Sequence, residues 1–552
     1  MAHIYKSEFS PLWEVESLSI PQFMTRYNPY GVPADKVVHC DTFSADAITH
    51  GSLREQAGRA AWGLRHRLSV KPGDTVLALV PNSNEFILLA HATWWAGAVF
   101  APLNTASTEK DVAHVLNLVR PTHVAMTESK METVQRAAAS VASVDPKIFT
   151  VLSKTGDIPR FPNDVVGKDD AESLPPYDLH GKSAKEVPST ICFSSGTTGN
   201  MKGVLLSHFN LIMNTLQMRN SMPLRFHSGI REVWFSPYCH IYGLAMVVIC
   251  GMWVGGLYYG LPAFELELFC RKAAELKATD MHLVPPVALA LANERSVQSY
   301  DLSSVERVVI AAAPLKVSLQ RKLKERLPQA SICQGNGLSE CSPGVTHQLY
   351  DEESSCGSVG KLFAGTEVRL VDPNTGKDVN PGEEGELWVR GPQVMMGYCN
   401  DPVSTKASFL DDWLKTGDVM RVDADGNFWV TDRLKEMIKY KGFQIAPSEL
   451  EDMLLRHDDV TDAAVCAVYD DAQATEVPLA YVSLTPEKAN LSESEIQKTL
   501  DSIRQWMDSR VAGYKKLRGG VFHLQALPKS PTGKILRRLL PAKVQEQRRN
   551  RL

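Results

Sequence analysis

Thr190-Ile191-Cys192-Phe193-Ser194-Ser195-Gly196-Thr197-Thr198-Gly199-Asn200-Met201-Lys202-Gly203 runs from an apolar strand into a loop of hydroxyls and glycines, then meets a lysine. Gly196 and Gly199 let backbone N–H groups turn toward an anion, and Ser194, Ser195, Thr197 and Thr198 add hydroxyl donors. Lys202 supplies positive charge of the kind phosphates need. The order is not that of a Walker A loop, because Lys202 precedes Gly203 instead of standing before Ser or Thr. Read by itself, such a loop is usually just flexible.

Outward from this loop, the front of the chain alternates strand and helix signals. Thr75 to Val80 is a short apolar run closed by Pro81. Asn82 or Ser83 caps a helix to about Trp95, Gly97 stops it, and Val99-Phe100-Ala101 is the next strand. That is a βαβ unit, the element of helix-covered sheets. Thr122 to Met126 and Ile148 to Leu152 add strands. Lys154 to Val187, rich in Pro, Asp and Lys, is expected to be surface connection. After Gly365, strands such as Glu367 to Val371 and Glu386 to Arg390 lie between Pro/Gly/Asn turns, which predicts a small barrel-like piece. Beyond Asp432, Pro447 opens a helix to about Arg456 and Ala463 to Val468 is a strand. The expected fold class is α/β: a large N-terminal domain (1–432) of helix-covered sheets with the barrel-like piece, then a small hinged α+β C-terminal domain (433–552).

Further motifs follow in order: Gln334-Gly335-Asn336-Gly337-Leu338-Ser339-Glu340, then Leu414-Lys415-Thr416-Gly417-Asp418, then Asp432-Arg433-Leu434-Lys435 through Lys439-Tyr440-Lys441-Gly442-Phe443-Gln444, then Pro528-Lys529-Ser530-Pro531-Thr532-Gly533-Lys534. Together with the loop at 194–202 they resemble the adenylate-forming superfamily of acyl-CoA synthetases, adenylation domains and luciferases. Tyr238-Cys239-His240-Ile241-Tyr242-Gly243 is similar to a segment of 4-coumarate–CoA ligases. The resemblance covers essentially the whole chain.

The resemblance implies an enzyme that uses ATP to convert a carboxylic acid into an acyl-adenylate, then passes the acyl group to coenzyme A and releases AMP and pyrophosphate. It places the loop residues Ser194 to Lys202 with Ala312, Gln334, Gly335, Asn336, Gly337 and Ser339 around the nucleotide, and Asp418 and Arg433 on the ribose. Glu340 is the implied ligand of a Mg²⁺ ion, a hard cation that takes oxygen donors. Lys534 is implied to stand where two anions, carboxylate and phosphate, must meet. Lys439, Gly442 and Gln444 are implied in the thioester step, after rotation about a hinge at Lys435. His240 is implied beside the reacting carboxylate, with Tyr242, Ala311 and Gly335 lining the acyl pocket. Without the resemblance each has a plainer reading: Asp418 a turn cap, Glu340 and Lys534 solvated surface charges, His240 a core histidine. No cysteine is needed as a nucleophile.

Departures from the family pattern bear on specificity. Asn336 stands where tyrosine is common, Met201 where proline is usual, Ser339 where threonine is usual, and Ala311 where the hydroxycinnamate ligases have glycine. The methyl group of Ala311 narrows or bends the pocket, a change worth about 1–3 kcal/mol between substrates. Medium-chain fatty acids and aryl acids both fit this reading.

Composition narrows the class further. A net charge of -4 over 552 residues argues against a nucleic-acid binder. Ten scattered cysteines, with no Cys-x-x-Cys pair, read as reduced thiols of an intracellular protein. No secretory signal is expected at the N-terminus. Ile241 to Phe264 carries no charge and has the length of a membrane span; its glycines and the Tyr258-Tyr259 run favour a buried helix followed by a buried strand. The terminal Asn550-Arg551-Leu552 resembles a peroxisomal address read by an import receptor, so cytoplasm and peroxisome are both expected locations. Two other functions stay open on sequence: an adenylating enzyme with a carrier-protein thiol or amine as acceptor, and a nucleotide-binding protein without activity.

Overall fold

The computed structural model describes residues 3–9, 13–142, 144–195, 201–311, 315, 317–349, 357–434, 436–440, 443–470, 475–511, 513–529 and 535–540. It divides into two compact units: Ile4–Val368 with Val389–Leu414, and Met1–His3 with Arg369–Trp388 and Lys415–Leu552.

The larger unit is built on two sheets. In the first, the strands run in the order Gly397–Tyr398, Met201–Ser207, Pro188–Ser195, Val99–Pro102, Thr75–Leu79, His123–Met126, Lys147–Val151 and Arg160–Phe161. From Pro188–Ser195 onward the pairing is parallel. The expected βαβ unit is present. The Ser83 hydroxyl accepts the Phe86 N–H at 3.0 Å and starts a helix over Asn84–Trp95, which ends before Gly97. That helix is buried on all sides, which explains its lack of a polar face.

The second sheet has nine strands, with a parallel centre of Ser331–Gly337, Arg307–Ile310, Asp280–Leu283, Arg231–Trp234, Leu257–Gly260 and Val37–Asp41. The uncharged stretch Ile241 to Phe264 belongs here. Ile241–Gly243, a wider π-helical run Leu244–Gly251 and Met252–Val254 form one helical path. Leu257–Gly260 then enters the sheet. Among the described residues no helix is long and apolar enough to cross a membrane.

Lys154 to Val187 is more than surface connection. Arg160–Phe161 is an edge strand of the first sheet, and Phe161, Val165, Leu179 and Ala184 are buried. Their spacing follows neither a helical nor a strand period, so the pattern hid them.

In the smaller unit, Asp418 to Val422 pairs antiparallel with Phe428–Arg433. Ile438–Tyr440 and Phe443–Ile445 form a hairpin, and Pro447–Leu454 is the expected helix, two residues shorter. Val460–Asp470, Thr475–Leu484 and Gly520–His523 form a three-stranded sheet. Its core includes Ile445, Leu450, Val465, Val482, Ile503 and Leu517. The whole is a mixed α/β fold with a smaller α+β part, as the sequence predicts.

Candidate functional site

The candidate residues fall in both compact units. In the larger one, the strand Pro188–Ser195 returns as Met201–Ser207, so Lys202 pairs with Ser194 and Met201 with Ser195. Gly196, Thr197, Thr198 and Gly199 lie outside the described residues, as does the side chain of Ser195. The Lys202 ammonium sits 4.4 Å from the ring centroid of Tyr398, on the neighbouring strand. The Tyr398 hydroxyl donates to Glu340 Oε1 at 2.8 Å, and Ser194 Oγ lies 3.5 Å from the same oxygen. Burial, reinforced by the Glu340 carboxylate, pushes the Tyr398 phenol up, so it stays protonated and donates. Glu340 is carried on a single 3-10 turn, Ser339–Cys341, whose backbone is tied by the Met395 N–H at 2.9 Å. Among the described residues Glu340 has no cationic partner, so its charge and its free oxygen suit a hard cation.

The exit of the phosphate loop is tethered where a loss of proline predicts freedom. His114, on helix Glu109–Val119, donates from Nε2 to the Met201 carbonyl at 2.8 Å.

The Gln334 segment forms strand Ser331–Gly337, paired antiparallel with Gly344–His347. Gln334 Oε1 accepts the Leu315 N–H at 2.8 Å, and Gln334 Nε2 donates to the Ser358 carbonyl at 3.4 Å. Its amide thus holds the chain that follows Ala311; Ala312 lies outside the described residues. Gly337 permits a close approach: a Cβ there would stand 2.2 Å from the Pro343 carbonyl oxygen. Gly335 and Gly337 flank Asn336, whose Nδ2 is buried with no partner among the described residues, and Ser339 opens the turn that follows. A buried donor of this kind is costly unless a ligand accepts from it.

His240 caps the turn Ile241–Gly243: its Nδ1 accepts the Tyr242 N–H at 3.2 Å, which leaves the proton on Nε2. Surrounding protein lowers its pKa, yet the side chain is open to solvent, as befits a residue lining a cleft. The segment bearing it is clamped by Asn82, a residue the motifs do not reveal. Asn82 Oδ1 accepts the Tyr238 N–H at 2.7 Å, while its Nδ2 donates to the Ser236 and Leu261 carbonyls at 2.9 and 3.0 Å. The Tyr238 hydroxyl meets His39 Nε2 at 2.7 Å.

Tyr242 packs 5.5 Å from Trp234 and 5.3 Å from His282, between ring centroids. Its hydroxyl is buried without a partner among the described residues. Behind it lies a buried ionic cluster. Arg225 pairs with Asp280 and, at 3.2 Å, with Glu232, and His282 Nδ1 meets Glu232 Oε1 at 2.7 Å. Arg307 adds a second cation on Asp280, at 2.8 Å. Burial, ahead of the Arg225 charge, holds His282 neutral, and burial pushes the Glu232 carboxyl up to about 8.

In the smaller unit, Asp418 and Arg433 are directly paired across two strands and their side chains meet at 2.7 Å. Asp418 is buried, and Arg433 is more exposed. Gly417 takes a φ of +74°, a left-handed turn natural to glycine, and its N–H donates to Glu386 Oε1 at 3.1 Å. This turn aims Asp418. Lys439 and Gln444 pair across their hairpin, but their side chains, like Lys435, Gly442 and Lys534, lie outside the described residues. Among the described residues of this unit a second cluster is visible. Arg537 bonds Glu436 and, at 2.7 Å, Glu451. Asp432 accepts the Arg433 N–H at 2.6 Å and a bond from Ser448 at 3.3 Å. Burial raises its carboxyl to about 6 against the pull of these donors and of Arg537.

Similarity to known proteins extends over most of the chain. The AMP-binding enzyme family matches residues 28–399, and the AMP-binding enzyme C-terminal domain matches residues 449–534. A 4-coumarate-CoA ligase 1 of Narcissus pseudonarcissus is 33% identical over 93% of this chain and 91% of its own. The ATP-bound MatB of Rhodopseudomonas palustris superposes with a TM-score of 0.81 at 25% identity, over 95% of this chain and 99% of its own. The amide bond synthetase McbA of Marinactinospora thermotolerans shares the fold, with a TM-score of 0.80 at 23% identity over 95% and 99%. The chain belongs to the AMP-binding enzyme family, the adenylate-forming enzymes, where its relatives of similar length are acid–CoA ligases, and it is an enzyme of that class.

Proposed function

We propose that this enzyme activates a carboxylic acid with ATP and transfers the acyl group to coenzyme A. A carboxylate oxygen attacks the α-phosphorus and pyrophosphate leaves. The pantetheine thiol then attacks the adenylate carbonyl, gives up its proton, and AMP leaves. The observation that carries this reading is the pairing of chemistry with position. Ser194 and Lys202, on adjacent strands, form one cluster with Tyr398 and with Glu340 on its 3-10 turn. Asp418, aimed by its glycine turn, carries two oxygens suited to ribose hydroxyls, with Arg433 beside it.

Lys202 and the hydroxyls of the 194–198 loop would bind the triphosphate. Glu340 would hold Mg²⁺, which when bound neutralises phosphate charge. Lys534 would stand between the reacting anions. Rotation about Lys435, separating 1–432 from 433–552, would then bring Lys439, Gly442 and Gln444 to the site for the thiol step. His240 would face the carboxylate, its Nε2 proton available as a donor. The acid is a medium-chain fatty or aryl acid. The buried Tyr242 hydroxyl favours one with a hydrogen-bond acceptor at its far end, because an apolar end would leave that group unpaired.

The amide bond synthetase with the same fold supports a second reading, in which an amine or carrier thiol accepts the acyl group. A binding protein without activity is disfavoured by the presence of Lys534, Lys439, Asp418 and Glu340. Cytoplasm and peroxisome both suit the chemistry; Asn550-Arg551-Leu552 lies outside the described residues. The deciding assay follows AMP release from ATP across short, medium and long fatty acids and cinnamic, phenylacetic and benzoic acids, with and without CoA. Release that needs both acid and CoA supports the ligase. Release that ignores CoA points to another acceptor, and silence across the panel to a binding protein.

A further inference from the structure

Tyr398 belongs to none of the motifs, yet it touches two groups that the proposed function uses. Its ring carries the Lys202 ammonium at 4.4 Å, a cation–π distance. Its hydroxyl donates to Glu340 Oε1 at 2.8 Å. The side chain stands on a fixed backbone: Tyr398 pairs with Val204, and its N–H donates to Thr405 Oγ1 at 2.9 Å. Among the described residues neither Lys202 nor Glu340 has an ion-pair partner.

We propose that Tyr398 is a positioning residue of the adenylation site, which holds Lys202 and Glu340 in place and keeps them from pairing with each other. A lysine and a glutamate that share one tyrosine as neighbour ordinarily close into an ion pair. Closed, the pair would leave neither charge for a ligand. The tyrosine gives each charge a weaker neighbour instead, the ring face for the cation and one O–H for the anion. The ammonium stays directed to phosphate, and the second oxygen of Glu340 stays directed to a divalent cation. This rests on the roles given above to Lys202 and Glu340.

The test uses the full-length protein, Mn²⁺ as a spectroscopic probe, and α,β-methylene ATP. Mn²⁺ binding to the protein–nucleotide complex is read by electron paramagnetic resonance, with AMP affinity and thermal midpoint measured alongside. Y398F keeps the ring and loses the hydroxyl. It should weaken Mn²⁺ binding about tenfold, the loss of one hydrogen bond to a charged group, and leave AMP affinity and the midpoint unchanged. Y398L removes both neighbours and should in addition weaken metal-free nucleotide binding about tenfold, as Lys202 pairs with Glu340. In an E340Q background, Y398F should add little. Wild-type Mn²⁺ affinity in Y398F would overturn the proposal, as would equal losses for Mn²⁺ and AMP, the mark of a merely loosened site. If the wild-type protein binds the analogue with no dependence on Mn²⁺, the reading of Glu340 itself fails, and this is seen before any variant is made.

Discussion

Asp418 and Arg225 are both buried charges with an opposite charge beside them, but they do different work. Asp418 is paired with Arg433, which is itself substantially exposed, so the pair retains capacity toward a ligand. Asp418→Ala should raise the dissociation constant for AMP roughly 10–100-fold, the loss of about 1.5–3 kcal/mol of charged hydrogen bonding, read by calorimetric titration. Arg225 instead satisfies Asp280 and Glu232 within the core. Arg225→Met keeps the volume, takes the guanidinium from Glu232 and leaves Asp280 with Arg307 alone. It should cost about 3–5 kcal/mol of stability in chemical denaturation. A change below about 1 kcal/mol would mean that water already reaches the cluster.

At the scale of elements, local signals and their limits are both visible. The helix after Thr75–Leu79 starts where a hydroxyl can cap it, at Ser83, and Ser83→Ala should lower stability by about 1 kcal/mol. A melt unchanged in that variant would show that the buried contacts alone set the helix start. Strands with short apolar runs, such as Thr75–Leu79 and His123–Met126, were legible because turns and glycines bound them. The return strand Met201–Ser207 was not foreseen: the motif reading stopped at Gly203, and hairpin pairing depends on the partner strand. Tyr398 was illegible for the same reason, since its partner Glu340 is 58 residues away in sequence. The ionic cluster did leave a trace, Asp280 and His282 alternating on one short strand, a polar pattern in an otherwise apolar sheet. The strand pair Asp418 to Val422 and Phe428–Arg433 ends in Asp432, whose carboxyl titrates near 6. The folded protein therefore keeps a proton that the unfolded chain releases near pH 4. Stability from this group is complete below about pH 4 and is lost as pH rises through about 6. Asp432→Asn should flatten the dependence of the unfolding midpoint over this window; an unchanged slope would assign it to other groups.

At the scale of the molecule, the chain passes between its two compact units more than once, at 368/369, 388/389 and 414/415. The proposed division of labour is tested by separating the half-reactions. Lys534→Ala should abolish adenylate formation, by more than about 100-fold, yet spare thioester formation from a supplied acyl-adenylate. Lys439→Ala should do the reverse. Equal loss of both steps in either variant would remove that lysine from its assigned step. Sequence order carried this expectation because the motifs are contiguous and carry their own chemistry. The buried cluster behind Tyr242 was less legible, since Arg225, Glu232 and His282 come from separate segments.

Arg537 has a mechanical meaning. It is bonded to Glu436, the residue after Lys435, and it follows Lys534 by three positions, just beyond the Lys529–Ile535 bridge. One guanidinium therefore ties Glu436 to Glu451 and to the stretch at 535–540 within the smaller unit. Under the rotation proposed about Lys435, that stretch would turn together with residue 436, as a crank carries its pin.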